Sequence, residues 1–518
     1  MNRMERRSFL KLMSSAALSA SALGCREDAA IPLLTDQWGI PTASQQSLLV
    51  PQESRPESVV ELFLMGGLCP WDTFYVAPEF GRPDAEVAPN TMWHTFQEGD
   101  DSVPEFFEIC KGGNRSLYEP YATDDAGRTI NLGPWLYPLR ERPDLLARMR
   151  VFVMNHPFEP HDAATPLALS GHPRGTPRMA TTGAHFQRYF RALEGPGRAT
   201  PYAYTLFSSN SEIEAQFDIN SASTAGLHSA AFKPLHLRLT ENSPLPSQLR
   251  REHLQGWHGQ VDSLRSAFAG RYASLLSQST SAPLQSARGL SELASAYEAL
   301  RYAPDLTHLL SAEALAAKFG TECQTVEPVL DDTAMGFGLA AHLVRAPRDA
   351  AKYVLYVDSG LVDATGAGYD THENHVRESS RNVVHAMRKL TDTVNKPGEN
   401  DPKKLDLDKQ LVLLTTEFGR TPYPETGKPQ GLDHWPFGYV VVAFGGPVDN
   451  SRAGIVGSIN NLGYAESGLT PAEFRAALLL SMGIWPFSNA GFAVGDIPGA
   501  TTEEEAARRL LERVWGYV

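Results

Sequence analysis

Residues able to ligate a cation or move a proton stand in five short stretches: Asp72; His156 and His161; Asp370 and His372; Glu417 and Arg420; Asp433 and His434. Carboxylates and neutral imidazoles are the ligands that divalent ions take from proteins. A site built from Asp72, His161, Asp370, His372, Glu417, Asp433 and His434 therefore points to zinc, manganese or calcium. Arg420, one turn beyond Glu417, is suited to gripping a tetrahedral oxyanion through two parallel hydrogen bonds, with an ion pair to Asp433 as its structural alternative. His161 precedes a short helical stretch ending at Gly171, where the helix N-terminus favours a nearby anion. For His161, metal binding and helix capping both stay open.

Each stretch adjoins a short apolar run that reads as a strand: 59–65, 150–154, 353–357, 411–414 and 439–444. Ligands collect where the strands of open α/β sheets end, so the five clusters are expected along one sheet edge. Gly66 and Gly67, after the first run, would let the backbone approach a ligand closely. Val376, Val383, Val384, Met387, Leu390 and Val394 form one face of a helix behind Asp370 and His372, and two further helices close the chain at 470–482 and 502–515. Pro166 fits the helix after His161 only in its first turn. Residues 81–133 read as irregular loop, and 200–319 as a helical insertion or cap with few strand signals. The expected fold is α/β, a mostly parallel central sheet sandwiched by helices.

The formal net charge is −14, with 60 acidic against 46 basic residues. Nucleic-acid binding draws on clustered Lys and Arg, so a nucleic-acid partner is excluded in favour of a small-molecule or surface-polymer ester. Arg6-Arg7 before a modest apolar stretch is a twin-arginine export motif, and Ala22-Leu23-Gly24-Cys25 resembles a lipobox. Residues 1–25 are thus a targeting segment, with a lipid on Cys25 as the membrane link and the periplasm or cell surface as destination. Residues 26–57 read as a linker, and 58–518 as the folded domain. Cys69, Cys110 and Cys323 are too few for a disulfide framework and allow at most one bridge.

Gly66-Gly67 with Asp72-Thr73-Phe74, Tyr369-Asp370-Thr371-His372, Glu417-Phe418-Gly419-Arg420-Thr421-Pro422 and Asp433-His434-Trp435 resemble the domain-of-unknown-function 1501 family, placed in the alkaline phosphatase-like superfamily. The resemblance implies a phosphatase-like layout. Asp72 then looks like the ligand after the first strand, Asp370 and His372 like the pair before the long helix, Glu417 like the later-strand carboxylate, and His434 like the histidine before the last strand. Phe418 stands where the phosphatases have His, which removes one imidazole from a two-metal site. His161 stands where they carry a Ser or Thr nucleophile, and attack on phosphorus to form a phosphohistidine joins its alternatives. Cys69-Pro70-Trp71 lacks the context that sulfatases need for formylglycine.

Three functions are compatible with these residues. A metal-dependent hydrolase of phosphate or related esters, with His161 and Arg420 at the reaction, follows from the converging ligands. A non-catalytic binding or assembly lipoprotein follows from the two departures at Phe418 and His161. Two histidines and one carboxylate would also suit an iron oxygenase.

Overall fold

The computed structural model describes residues 39–80, 119–176, 179–194, 203–208, 234–237, 332–346, 350–360, 362–363, 366–487 and 491–517. The export motif, the lipobox, Cys25, Cys110, Cys323 and most of 200–319 lie outside them. Among the described residues no helix is long and apolar enough to cross a membrane.

An eight-stranded sheet organises the chain. Its strands are β1 (Ser58–Leu64), β2 (Met149–Met154), β3 (Tyr204–Ser208), β4 (Leu235–Leu237), β5 (Tyr353–Asp358), β6 (Gln410–Thr415), β7 (Tyr439–Gly445) and β8 (Gly454–Val456). They lie in the order β8-β2-β7-β6-β1-β5-β3-β4. β1 pairs in parallel with β6 and β5, β5 with β3, β3 with β4, and β2 with β8, whereas β7 runs antiparallel to its neighbours β6 and β2. The strands β1, β5, β6 and β7 are buried throughout, as expected where helices cover both faces.

Successive side chains alternate between two cores. Val60, Leu62 and Leu64 of β1 join Val412 and Leu414 on the face covered by α3 (Asp332–Val344) and α4 (His375–Thr393). Val59 and Phe63 join Leu411 and Leu413 on the other face. There α1 (His161–Ser170), α2 (Thr182–Glu194), α5 (Pro471–Ser481) and α6 (Glu503–Leu510) pack. Val383, Val384, Met387 and Leu390 are buried on α4, as the periodicity requires.

Three details depart from the sequence reading. Residues 119–132 are not loop throughout: Glu119–Thr123 and Thr129–Leu132 form a hairpin. Asp124 Oδ1 locks its turn by accepting the N–H groups of Ala126 and Arg128 at 3.0 and 2.8 Å. The 200–319 stretch supplies β3 and β4 to the sheet, because strands this short carry too few residues for a periodic signal. Pro166 sits in the second turn of α1, where it has no N–H to offer the Asp162 carbonyl.

Candidate metal centre

Because β1, β2, β5 and β6 run in one direction and β7 in the other, the ends of the first four and the start of β7 share one sheet edge. The connections there carry His161 at the first position of α1, Asp370 and His372 between β5 and α4, and Glu417 and Arg420 after β6. His434 precedes β7. A two-residue antiparallel pairing, Arg420 with His434 and Gly419 with Trp435, ties the last two connections together.

Asp370 is the centre. Its Oδ1 lies 3.1 Å from His372 Nε2, 3.4 Å from His434 Nε2 and 3.5 Å from His161 Nε2, and it accepts a hydrogen bond from Arg420 Nη2 at 2.5 Å. Four nitrogens thus approach an oxygen with two lone pairs. His372 Nε2 and His434 Nε2 face each other at 3.1 Å, so at most one of them carries a proton. Ligands bound at ~2.0–2.1 Å in a tetrahedron stand roughly 3.3–3.4 Å apart, close to these spacings. Two overlapping groups are close enough to hold a cation, His161 with Asp370 and His434, and His372 with Asp433 and His434.

Carboxylates behind two of these imidazoles orient them. His161 Nδ1 meets Glu417 Oε1 at 2.7 Å, and His372 Nδ1 meets Glu425 Oε2 at 2.6 Å. Each ring then donates its Nδ1–H outward and turns Nε2 toward Asp370, the arrangement by which metal-binding histidines are commonly fixed. Glu417, expected as a ligand, therefore stands behind His161: it is fully buried, and its Oε1 also accepts the Gly66 N–H at 2.8 Å. Asp433 lies at the rim, its Oδ1 accepting the His434 N–H at 2.8 Å and standing 4.0 Å from His372 Nδ1. The Phe418 ring stacks on His434 at 4.4 Å and leans on His161 at 4.8 Å.

Charge follows this geometry. Burial opposes the charged form of His161, but Asp370 and Glu417 outweigh it and push its pKa up to about 9. The Asp370 hydrogen bond raises His372, with Glu425 adding to it against burial. Burial would raise Asp370, yet the three imidazoles and Arg420 hold it far below the usual carboxylate range. Asp370 and Glu417 thus favour positive charge at His161, where a cation would compete with the proton.

Arg420 is fully buried and pairs with Asp370, not with Asp433. Its Nη1 donates to the Leu432 carbonyl at 3.0 Å, and its Nη2 also donates to the Gly66 carbonyl. The guanidinium expected to grip an oxyanion is thus committed to holding Asp370. Gly66 likewise approaches protein, not ligand: at φ 122° a side chain there would meet the Asp370 backbone nitrogen at 2.4 Å. His156 is not a ligand either. Its Nε2 donates to the Glu417 carbonyl at 2.6 Å, and burial lowers its pKa to about 4, keeping it neutral.

Asp72 belongs to a second, fully buried group. Its Oδ2 takes Cys69 Sγ at 3.1 Å and His375 Nε2 at 3.0 Å, while Thr371 Oγ1 meets His375 Nδ1 at 2.6 Å. Burial raises the free Cys69 thiol and lowers His375; the three side chains are joined by hydrogen bonds and stand close enough to hold a cation together. His375 and Glu425 are the residues that sequence reasoning missed. His375 stands three residues after His372 at the start of the predicted helix, a spacing that would have singled it out. Glu425 lies in a loop with no periodic or spacing signal.

Among solved structures, 89% of the chain aligns with 80% of the lipoteichoic acid synthase LtaP from Listeria monocytogenes, at 7% identity and a TM-score of 0.35. For the PsFucS1 sulfatase from Pseudoalteromonas sp. the shares are 88% and 74%, at 10% identity and a TM-score of 0.29. No curated protein matches the chain. Residues 56–496 match the model of the family described as protein of unknown function (DUF1501), and the chain belongs to that family.

Proposed function

We propose that the chain is an exported, metal-dependent hydrolase of phosphate or related esters on an alkaline phosphatase-like fold. The observation that carries this reading is the convergence of three imidazole Nε2 atoms on one oxygen of Asp370. Three imidazoles and one carboxylate suit zinc or manganese better than calcium, which prefers oxygen ligands throughout. When bound, such an ion polarises an ester oxygen and lowers the pKa of water. The protein's own part is positional: Glu417 and Glu425 fix two ring tautomers, Arg420 anchors Asp370, and Phe418 keeps His434 in place. With Nδ1 on Glu417 and Nε2 at Asp370, His161 acts as a ligand in this reading and not as a nucleophile.

The rival reading is a binding or assembly lipoprotein without turnover. It draws on Phe418, whose ring lies against His434 where the phosphatases supply an imidazole. Elemental analysis of protein purified without chelator, with turnover of phosphate monoester, diester and sulfate ester substrates, decides between them. Bound zinc or manganese with turnover is expected, and tight metal without turnover would favour the rival. Asp370→Ala and His372→Ala should each lose metal, and full occupancy in both variants would remove these residues from the site. For location we propose export through Arg6-Arg7 and lipid attachment at Cys25. Cys25→Ala protein remaining in the membrane fraction would count against the lipid.

A further inference from the structure

Outside the group around Asp370, the described residues hold a second cluster of ligand types, Cys69, Asp72 and His375. Local geometry brings the first two together. Pro70–Asp72 is a single 3₁₀ turn that starts from Cys69, and in such a turn side chains three positions apart eclipse one another. Cys69 Sγ and Asp72 Oδ2 therefore face the same way, 3.1 Å apart. The turn is tied at several points: Thr73 Oγ1 donates to the Cys69 carbonyl at 2.6 Å, and Trp71 Nε1 donates to the Arg420 carbonyl at 2.9 Å. His375 arrives from the first position of α4, where its backbone N–H is fixed on the Gln430 carbonyl at 2.8 Å, and sets Nε2 3.0 Å from the same Asp72 oxygen. All three side chains are buried, and their donor atoms lie within 4.8 Å of one another.

A thiol, a carboxylate and an imidazole are the three donor types that zinc takes from proteins. Thiolate sulfur disfavours calcium, magnesium and manganese, and carboxylate oxygen disfavours copper(I), so the mixed set points to zinc. Charge agrees with this choice. One thiolate and one carboxylate cancel the two positive charges of the ion, which leaves no net charge in a buried place. Ligands on a tetrahedral zinc stand roughly 3.3–3.6 Å apart, so both Asp72 contacts need open only slightly to admit it. His375 also has an outer partner of the kind that fixes a ligating imidazole, since its Nδ1 meets Thr371 Oγ1 at 2.6 Å. We propose that Cys69, Asp72 and His375 bind a zinc ion, separate from the centre at Asp370, that fastens the turn after β1 to the start of α4. Uptake exchanges the Cys69 thiol proton, released to solvent, for a sulfur–zinc bond, and leaves the imidazole proton on Nδ1 for Thr371 to accept. Thr371 lies between Asp370 and His372, so the ion steadies the loop that carries both. None of this depends on the hydrolase reading.

Cobalt(II) is the probe, because a thiolate ligand gives it an intense charge-transfer band in the near ultraviolet. With Cys25, Cys110 and Cys323 replaced by serine, Cys69 is the one thiol left in the chain. That protein, stripped with chelator and loaded with cobalt, should show the band, and X-ray absorption of its zinc-loaded form should find sulfur next to zinc. Adding Cys69→Ser, which keeps a hydroxyl for Asp72, should abolish the band and lower bound zinc by one ion per chain. Asp370→Ala, aimed at the other group, should leave the band in place. Should the serine variant fail to fold, His375→Gln is the second test and should weaken the band. Three side chains joined by hydrogen bonds alone would give neither band nor sulfur contact, and either absence in the parent protein overturns the site. Equal zinc content with and without Cys69→Ser would overturn it too.

Discussion

Glu61 meets Arg475 beneath the sheet much as Asp370 meets Arg420 at its edge, but the first pair is saturated and the second is crowded. Arg475 grips both Glu61 oxygens, at 2.9 and 2.6 Å, and spends its Nε on the Ala168 carbonyl at 2.5 Å. Tyr353 and Thr415 donate to the same carboxylate, and nothing of the pair reaches solvent. Asp370 instead gathers three imidazole nitrogens and one guanidinium on a single oxygen, and Arg420 Nε is buried without an acceptor. A saturated pair fixes β1 against α5 and has no capacity for a ligand. The crowded one sets three imidazole nitrogens and a guanidinium around one carboxylate oxygen, an arrangement that a shared cation would relieve.

The contrast is easiest to break from the saturated side. Arg475→Met strands a fully buried carboxylate and should lower the free energy of unfolding by about 3–5 kcal/mol in denaturant titrations. Burial raises the Glu61 carboxyl, but Arg475 outweighs it with Thr415 and Tyr353, leaving its folded pKa below the ordinary value. That stabilisation is fully present above the unfolded pKa of roughly 4.3 and disappears as pH falls through the lower folded value. The stability gap between wild type and Arg475→Met should therefore close on acidification, and a gap constant down to the lowest pH would deny Glu61 its part.

A smaller effect is expected at the crowded side. Arg420→Ala should cost about 1–3 kcal/mol by leaving the Gly66 and Leu432 carbonyls without donors, and it should loosen metal binding because Asp370 loses its anchor. Melting curves and metal titration read both. Unchanged stability and metal content with weaker phosphate binding in a calorimeter would show the guanidinium working on substrate instead. The smallest change in stability belongs to Glu425→Gln, which keeps the side-chain shape but weakens the hold on His372 Nδ1. Metal affinity, measured by competition with a chromophoric chelator, should drop about 10–100-fold with little change in melting. An unaltered affinity would reduce Glu425 to a loop contact.

The long aliphatic runs made the sheet legible: β1, β2, β5, β6 and β7 all appear where continuous apolar residues end in turn signals, and the α4 face follows its 3.6-residue period. β3 and β4 were not legible, since three to five residues carry no period and their place comes from pairing with β5. In the site, residue type and strand-end position pointed to His161, Asp370, His372 and His434. They could not say which carboxylate faces the centre. Glu417 and Asp370 look alike in sequence, and only the direction of the His161 ring separates a residue behind the site from one within it. The partners of Asp72 were hidden for the same reason: a β1-end carboxylate has several neighbours at one sheet edge, and it reaches Cys69 and His375, a second group close enough to hold a cation.

The antiparallel course of β7 sets when the site can exist. His434 arrives on a strand that seats only between β6 and β2, while His161 starts the helix after β2 and Asp370 follows β5. Closing loops of that length costs chain entropy that is returned only when the whole sheet has paired. These side chains therefore come together only once the sheet has paired, and a cation that needed all of them would report that folding is complete.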